Sequence, residues 1–233
     1  AERESRCDNF YQLAQTYAAA RAEEFKDLQD RLDQVVSFFE SSMDVSREEF
    51  SSYCNTIVQK GVVAACVWLP AVTEAESPSF IQKARTAGAS DFSIWQKNKN
   101  GFNEPVALRP VYYPALYIVP LAGHETAVGY DLYSEPLRHA AMQETLRTGL
   151  PTATDPVRLI ALTNAPLGFF IFQSVKASTQ QGLAAFVVRP ETLLGEVPHH
   201  NKNNPGVEIC LFQLKPRGDA VFMAGSYGKC GPA

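Results

Sequence analysis

The residues best placed to do chemistry surround one carboxylate, Asp131. It follows a short apolar run and precedes a helix start, which places it at a strand-to-helix corner. Small-molecule pockets are mostly apolar and contain a few polar groups that fix the orientation of the ligand. The pattern predicts such a pocket around Asp131, lined by aromatic residues near it in sequence or on later predicted strands: Tyr113, Tyr117, Tyr130, Tyr133 and Phe170. Ordinary core packing is the alternative for each ring taken alone.

The helix that follows this corner is predicted to run from Glu135 to Thr148. Ser134 is a favourable N-cap, Pro136 suits a first turn, and Gly149 is a common C-terminal stop. The apolar residues Leu137, Ala141, Met142 and Leu146 recur at helical spacing and are predicted to form the buried face. This prediction leaves Arg138 outside the buried face.

No catalytic or metal-binding motif is recognisable in the chain. There is no GxSxG, P-loop, GxGxxG, HExxH or EF-hand pattern, and His124, His139, His199 and His200 have no convincing ligand spacing. An enzyme with an acid/base pair of carboxylates would need both in one cleft, and only Asp131 and Glu135 are close in sequence. We therefore expect a domain without catalytic residues, metal or cofactor.

Composition narrows the class of partner. The 233 residues carry a net charge of −4 and no run of Lys or Arg, which argues against nucleic acid as a partner. The chain has neither a signal peptide nor an apolar stretch of about 18 residues that could cross a membrane. These features are compatible with a soluble piece of a larger protein.

The five cysteines are too scattered for a zinc site. Cys210 and Cys230 flank a predicted hairpin and are the first choice for a disulfide in an oxidising compartment, with Cys54 and Cys66 second. Buried free thiols are the alternative.

The N-terminal segment is predicted to form one long helix, from about Glu4 to Ser41. Apolar residues recur every three or four positions with no Gly or Pro between them: Tyr11, Ala14, Ala18, Ala22, Phe25, Leu28, Leu32, Val35 and Phe39. Arg21 stands at a strict heptad position and interrupts the frame. A helix of about 55 Å is longer than a small domain is wide, so we expect it to protrude as a stalk or to cross several packing layers.

The remaining elements predict a mixed fold. Ser46 and Glu49 form a capping box for a second helix, and Ser77-Pro78 is predicted to cap a third that ends at Ala87. Strands are predicted over these ranges: 62–69, 91–96, 111–121, 153–162, 168–175, 183–188, 207–214 and 220–227, with a short helix at 189–197. Strands joined by short turns after an early group of helices indicate an α+β fold with antiparallel sheets.

The segment from Arg47 to Pro190 resembles the CHASE domain family, the extracytoplasmic sensory domain of membrane-bound histidine kinases and nucleotide cyclases that includes the cytokinin receptors. The matching pieces keep their order over about 140 residues, and they are Glu49-Phe50, Trp68-Leu-Pro-Ala-Val72, Tyr113-Pro114, Gly129-Tyr-Asp131, Ser134-Glu-Pro-Leu-Arg138, Arg147-Thr-Gly149 and Thr152-Ala-Thr-Asp-Pro-Val-Arg-Leu159. The segment 91–104 does not match.

The resemblance implies a long N-terminal helix packed on two PAS-like modules, with transmembrane helices on either side in the full-length protein. By resemblance, Asp131 hydrogen-bonds the polar edge of a ligand. Further contacts come from the strand Thr152, Ala153 and Thr154, and from the vicinity of Thr163. The family suggests an adenine derivative of the cytokinin type, but Ala153 replaces a bulkier aliphatic residue and the approach to Asp131 is rich in Tyr, so the identity of the ligand does not carry over.

The resulting prediction divides the chain into a stalk helix (1–45), a membrane-distal PAS-like ligand-binding module (46–189) and a membrane-proximal PAS-like module (190–233). The expected function is small-molecule sensing in the periplasm by an inner-membrane receptor with histidine kinase or diguanylate cyclase output, dimerising through the N-terminal helix. A double-Cache sensor of amino acids or carboxylates is the alternative. It would need an anion-binding Arg or Tyr in the distal pocket, for which Arg109 is the candidate.

Overall fold

The fold was obtained as a computed structural model. It describes residues 2–59, 61–160, 167–195, 209–214 and 218–225. Within these ranges the chain is a mixed helix and sheet protein with a long N-terminal helix and antiparallel sheets, which confirms the predicted α+β class.

Five α-helices are present in the described residues: α1 (Glu2–Ser41), α2 (Arg47–Val58), α3 (Ser77–Thr86), α4 (Pro136–Thr148) and α5 (Pro190–Leu194). The long first helix is confirmed, and so is the capping box of α2, in which Ser46 and Glu49 exchange hydrogen bonds. The cap predicted for α3 is wrong, because Ser77 is already its first helical residue and Glu76 precedes it without a side-chain cap.

The main sheet has six strands. β6 (Tyr117–Val119), β1 (Val63–Pro70), β10 (Gln181–Val188), β9 (Leu167–Lys176) and β7 (Thr152–Ala153) follow in that order, and β8 (Val157–Arg158) also pairs with β9. All these pairings are antiparallel. Three two-stranded units accompany the sheet: β2 (Val72–Thr73) with β5 (Val111–Tyr112), β3 (Trp95–Lys97) with β4 (Asn103–Pro105), and β11 (Cys210–Leu214) with β12 (Ala220–Gly225).

Three predicted strands are shorter or broken. The run 111–121 divides into β5 and β6, since Pro114 lies between them and Pro cannot donate to a strand ladder. The strand predicted over 91–96 is strand only from Trp95 onward, and the run 153–162 divides into β7 and β8, with residues 161 and 162 outside the described part.

The main sheet buries a different core on each face. Alternate residues of β1 point to opposite sides, as strand geometry requires. Cys66 and Trp68 face α1 and α2, and the ring of Trp68 stacks on Phe39 of α1 with 4.1 Å between centroids. Ala65 and Val67 face the other side, where α4 and the Asp131 corner cover the sheet. One strand therefore contacts both the long helix and the candidate site.

Cys54 and Cys66 are buried free thiols, so the second-choice disulfide is not formed. Cys210 is disulfide-bonded. Cys230, its predicted partner, lies outside the described residues.

Candidate functional site

The corner that carries Asp131 is held by backbone hydrogen bonds on both sides. The Asp131 N–H donates to the carbonyl of Trp95 at 2.8 Å, and the Ala115 N–H donates to that of Tyr130 at 3.0 Å. Gly129 begins the corner with φ of +79°, and a Cβ there would lie 2.0 Å from the carbonyl oxygen of Ser93. Only glycine allows this approach of two backbones.

Asp131 is completely buried, and its two oxygens have different surroundings. Oδ1 accepts the backbone N–H of Tyr113 at 2.9 Å and that of Tyr133 at 3.3 Å. Oδ2 lies 3.2 Å from Nη1 of Arg109 but forms no hydrogen bond of acceptable geometry. Burial raises the pKa of Asp131, and the two backbone donors and Arg109 oppose this rise only in part. Asp131 is thus a structural acceptor with one oxygen still able to accept a hydrogen bond.

The predicted cap of α4 needs correction. Glu135, not Ser134, is the N-cap, and its carboxylate accepts the N–H groups of Leu137 and Arg138. The Ser134 hydroxyl donates to the Asp131 carbonyl, and the Asp131 side chain caps the short 3-10 turn Leu132–Ser134. Asp131 and Glu135, the two carboxylates considered above as a possible acid/base pair, therefore each accept backbone N–H groups at the start of a helix.

The buried face of α4 also differs from the prediction. Arg138, Ala141, Met142 and Thr145 are buried, whereas Leu137 and Leu146 are about 40% exposed. The four buried residues follow an i, i+3, i+4, i+7 pattern, so a helical wheel that allowed a charged residue inside would have found them.

Arg138 is the most unusual of the four. Its guanidinium lies over the rings of Phe170 and Tyr130, with 4.9 and 5.8 Å to their centroids. Nη2 donates to the carbonyl of Arg158 at 3.0 Å and Nη1 to Glu135 at 3.4 Å, while Nε has no partner among the described residues. Burial lowers the pKa of this guanidinium, against the opposing effects of Tyr130 and Glu135.

Arg138 lines a small apolar cavity beneath the sheet, with a volume of about 50 Å³. Its other walls come from the sheet, the Asp131 corner and the segment after β8: Ala65, Val67, Ala115, Ile118, His124, Ala127, Tyr130, Leu132, Leu159, Ile160, Phe170 and Val187. A larger cleft of about 770 Å³ lies beside it and shares four of these residues, Tyr130, Arg138, Leu159 and Ile160. Ligand pockets usually measure about 300–1,000 Å³, so the cleft has the size of a ligand site and the cavity alone does not.

The structure brings only part of the predicted site together. Tyr130 and Phe170 line the cavity. Asp131, Tyr113 and Tyr133 form a neighbouring cluster, in which the two tyrosine rings lie 5.2 Å apart.

The other predicted site residues lie elsewhere. Tyr117 is paired with Trp68, so it points to the opposite face of the sheet, where it packs on Phe50. Thr152 and Ala153 pair with β9, and the Thr154 hydroxyl accepts the Phe170 N–H at 3.0 Å. Thr163 lies outside the described residues.

The model of the CHASE domain family matches residues 43–223. The chain belongs to the CHASE domain family. This match confirms the resemblance found over Arg47 to Pro190 and extends beyond it at both ends. A CHASE domain is a sensor domain rather than a catalytic one.

Two solved structures show weaker similarity to this CHASE domain. An extracellular ligand binding receptor from Desulfohalobium retbaense DSM5692 is 12% identical with a TM-score of 0.47, and the alignment covers 78% of this chain and 25% of that one. Methyl-accepting Chemotaxis protein X is 10% identical with a TM-score of 0.36, over 79% and 65% of the two chains. The CHASE domain thus spans a quarter of the first protein and just under two thirds of the second. No curated protein matches the sequence.

Among the described residues, no helix is both long and apolar enough to cross a bilayer. The same residues contain no group of three or more His, Cys, Asp or Glu side chains that could hold a metal ion.

Proposed function

We propose that this CHASE domain is the small-molecule-sensing part of a transmembrane receptor, located in the periplasm and coupled to a histidine kinase or diguanylate cyclase. The observation that carries the proposal is the apolar cavity between the main sheet and the Asp131 corner, which shares four lining residues with a cleft of ligand size. The match to the CHASE family favours this proposal over the double-Cache alternative.

The position of the cavity supports transmission as well as binding. Ala65 and Val67 of β1 line the cavity, and Trp68, next along the strand, stacks on α1. A ligand can shift a receptor only if it binds one arrangement of the protein better than another. A ligand that widens the cavity presses on β1, and α1 lies on the opposite side of that strand.

Cavity filling tests the binding site. The purified domain is screened by thermal shift against adenine derivatives and small carboxylates, and each compound that raises the melting temperature is titrated calorimetrically. Ala65→Leu, which places three more carbons in the cavity, is expected to abolish binding. Ala140→Leu, the same change on the exposed side of α4, is expected to leave it intact. Binding that persists in Ala65→Leu would place the ligand elsewhere.

Asp131→Asn then tests the predicted role of Asp131. Asn keeps an acceptor for the N–H groups of Tyr113 and Tyr133 but replaces the free oxygen by an amide donor. If a ligand donates to Oδ2, affinity falls on the order of tenfold or more while the fold persists. Unchanged affinity would remove Asp131 from the ligand site.

We further propose that α1 forms a homodimer contact. In its first half the residues turned toward the body are Leu13, Tyr17, Arg21 and Glu24, all half-buried. The apolar stripe on the same half is exposed: Tyr11, Ala14, Ala18, Ala22 and Phe25. Small residues along such a stripe let two helices approach closely, and a second copy offers a matching surface.

Sedimentation of the domain over a concentration series tests the contact. Ala18→Glu, in the centre of the stripe, is expected to weaken dimerisation on the order of tenfold or more, because it buries an unpaired charge. Ala19→Glu adds the same charge one residue away, off the stripe, and is expected to change little. Equal effects of the two variants would exclude the stripe as the interface.

A further inference from the structure

The cleft beside the cavity collects positive charge in a protein that is negative as a whole. Four cationic residues line it, Lys97, Lys99, Arg138 and Arg158, against one carboxylate, Glu135. That carboxylate is already bonded to the N–H groups that begin α4. The net charge of the chain is −4, so this local excess runs against the composition.

The exposed cations of the cleft have no charge partner among the residues that the structure describes. Lys97, Lys99 and Arg158 form no ion pair within the described part of the chain, and all three are exposed. Clefts lined by charge of one sign raise the local concentration of small ions of the opposite sign. An anionic ligand would therefore be drawn to this opening.

At the inner end, Arg138 is only 3% exposed and has spare hydrogen-bonding capacity. A buried guanidinium is costly unless its charge is paired. Among the described residues its one carboxylate partner is Glu135, which lies 3.4 Å away and is shared with the helix cap. The rings of Phe170 and Tyr130 lie against the guanidinium, so further partners must approach the N–H groups at its edge. An acceptor from a ligand in the cavity or cleft would satisfy the free Nε.

We propose that the ligand of this CHASE domain is a small carboxylate with an apolar body, whose carboxylate binds Arg138 and whose body occupies the cleft and extends into the adjoining cavity. This inference rests on the proposed sensing function and names the chemical class of the ligand. Lys97, Lys99 and Arg158 attract the anion electrostatically, and Arg138 binds it. The walls around Arg138 are almost entirely apolar, which favours an aromatic or aliphatic body over a second charged group.

Matched acids and amides test the inference on the wild-type domain. Indole-3-acetate, phenylacetate and octanoate are titrated calorimetrically beside indole-3-acetamide, phenylacetamide and octanamide, with an adenine derivative, N6-benzyladenine, as a neutral reference. We expect at least one acid to bind about tenfold or more tighter than its amide, because the amide oxygen still accepts a hydrogen bond from Arg138 but carries no negative charge to pair with the guanidinium.

Variants then assign the preference to residues. Arg138→Met is expected to lower the affinity for the acid to that for the amide. Arg138→Lys keeps the charge but not the Nε geometry, so its affinity for the acid is expected to lie between those of wild type and Arg138→Met. The double variant Lys97→Gln with Lys99→Gln should weaken binding about two- to fivefold in low salt and not at about 0.5 M salt, where surface charges are screened. Lys26→Gln, which removes the charge of an exposed lysine on α1, is the control.

The outcomes separate this inference from the proposed function. Binding of N6-benzyladenine or of the amides without any acid preference overturns the carboxylate assignment and leaves the sensing function standing. If the acid still binds to Ala65→Leu, the inference is also overturned, because attraction by the exposed cations alone would then explain the binding. Binding of none of the probes overturns both. The acid-to-amide comparison needs no variant, so misfolding of Arg138→Met would not leave the inference open.

Discussion

Asp131 combines a structural role with an electrostatic cost of burial. Its Oδ1 accepts two backbone N–H groups that shape the corner, while Oδ2 has Arg109 nearby but no hydrogen bond. Burial is the largest influence on its pKa and raises it. The neutral acid is therefore favoured in the folded state relative to an unfolded chain, where the pKa is about 3.9.

The sign of this shift gives a pH prediction. A raised pKa means that the folded protein binds more protons than the unfolded chain between the two pKa values, so the contribution of Asp131 is greatest below about pH 3.9 and is lost as the pH rises through the folded value. Asp131→Asn does not titrate. We therefore expect its free energy of unfolding to rise relative to wild type from about pH 3.5 to pH 7, measured by urea denaturation.

Asp131→Ala is the control, because it leaves the N–H groups of Tyr113 and Tyr133 without an acceptor. Its free energy of unfolding should be lower than that of Asp131→Asn by about 1–3 kcal/mol at both ends of this range, since neither variant titrates at this position. If wild type instead gains stability over Asp131→Asn as the pH rises, the attraction of Arg109 exceeds the cost of burial.

At this scale the sequence identifies the corner that carries the buried Asp131 but misses the burial of Arg138. The position of Asp131 between an apolar run and a helix start is a local signal. Arg138 is buried only because two strands distant in sequence bring Phe170 and the Arg158 carbonyl to it. The helical spacing of Arg138 with the other buried residues of α4 allows its burial, but the contacts that offset the cost of burying its charge are long-range and cannot be read from the sequence.

Helix α1 turns one continuous face to the body, but the apolar stripe of its first half lies beside that face and not on it. From Leu28 onward the predicted stripe is buried, with Leu32, Val35 and Phe39 in the core. Before Leu28, the residues that face the body include Tyr17 and Arg21. Arg21 therefore belongs to the body-facing row, which is why it interrupts the apolar stripe predicted from the sequence. Arg21 donates to the carbonyl of Leu193 at 2.7 Å, and the Tyr17 hydroxyl donates to that of Leu194. These bonds satisfy carbonyls at the end of α5 and attach the outer half of α1 to it.

Removal of these donors should release the outer half of α1 without disturbing the core. We expect Tyr17→Phe combined with Arg21→Met to lower the free energy of unfolding by about 1–3 kcal/mol. Amide hydrogen exchange should quicken at residues 10–25 and stay slow at 28–39, which remain packed on the sheet. Lys26→Met, at an exposed position between the two regions, should change neither. Uniform acceleration along α1 would show that the helix is held as one unit.

Elements with strong local signals are predicted well. The capping box of α2 and the β-branched run of β1 depend on neighbouring residues, and both match the structure. The break at Pro114 reverses the face assigned to Tyr117, because β6 takes its register from β1 and not from β5. Register is set by pairing between distant strands, so a prediction that treats 111–121 as one strand assigns the wrong face to everything after the break.

At the scale of the molecule, the main sheet lies between the cavity, where we propose that the ligand binds, and helix α1, which we propose responds to it. Its strand order places β1 between β6 and β10, which come from widely separated parts of the chain. The sequence predicts the existence of these strands but not their order, and the cavity follows from the order. The family resemblance supplied the class of protein, but the residues that line the cavity could be identified only once the strands were placed.

The two tryptophans of the chain lie on opposite sides of this sheet and can report on each side separately. Trp68 packs in the core with α1 and α2, whereas Trp95 lies by the Asp131 corner, 4.9 Å from Tyr130 between ring centroids. Because both cores share β1, β9 and β10, neither can unfold while the other stays packed. We expect unfolding in urea to be a single transition that involves both cores.

Single-tryptophan variants make this measurable. Trp95→Phe leaves Trp68 as the reporter of the α1 side, and Trp68→Phe leaves Trp95 as the reporter of the cavity side. Within each variant, the fluorescence and far-UV circular dichroism curves should superimpose. The midpoints of the two variants will differ, since Trp95→Phe also removes the hydrogen bond from Nε1 to the Val128 carbonyl. A Trp95 transition that precedes the loss of helix would mean that the cavity side opens independently, and a ligand there would then order the corner locally instead of acting on α1 through the sheet.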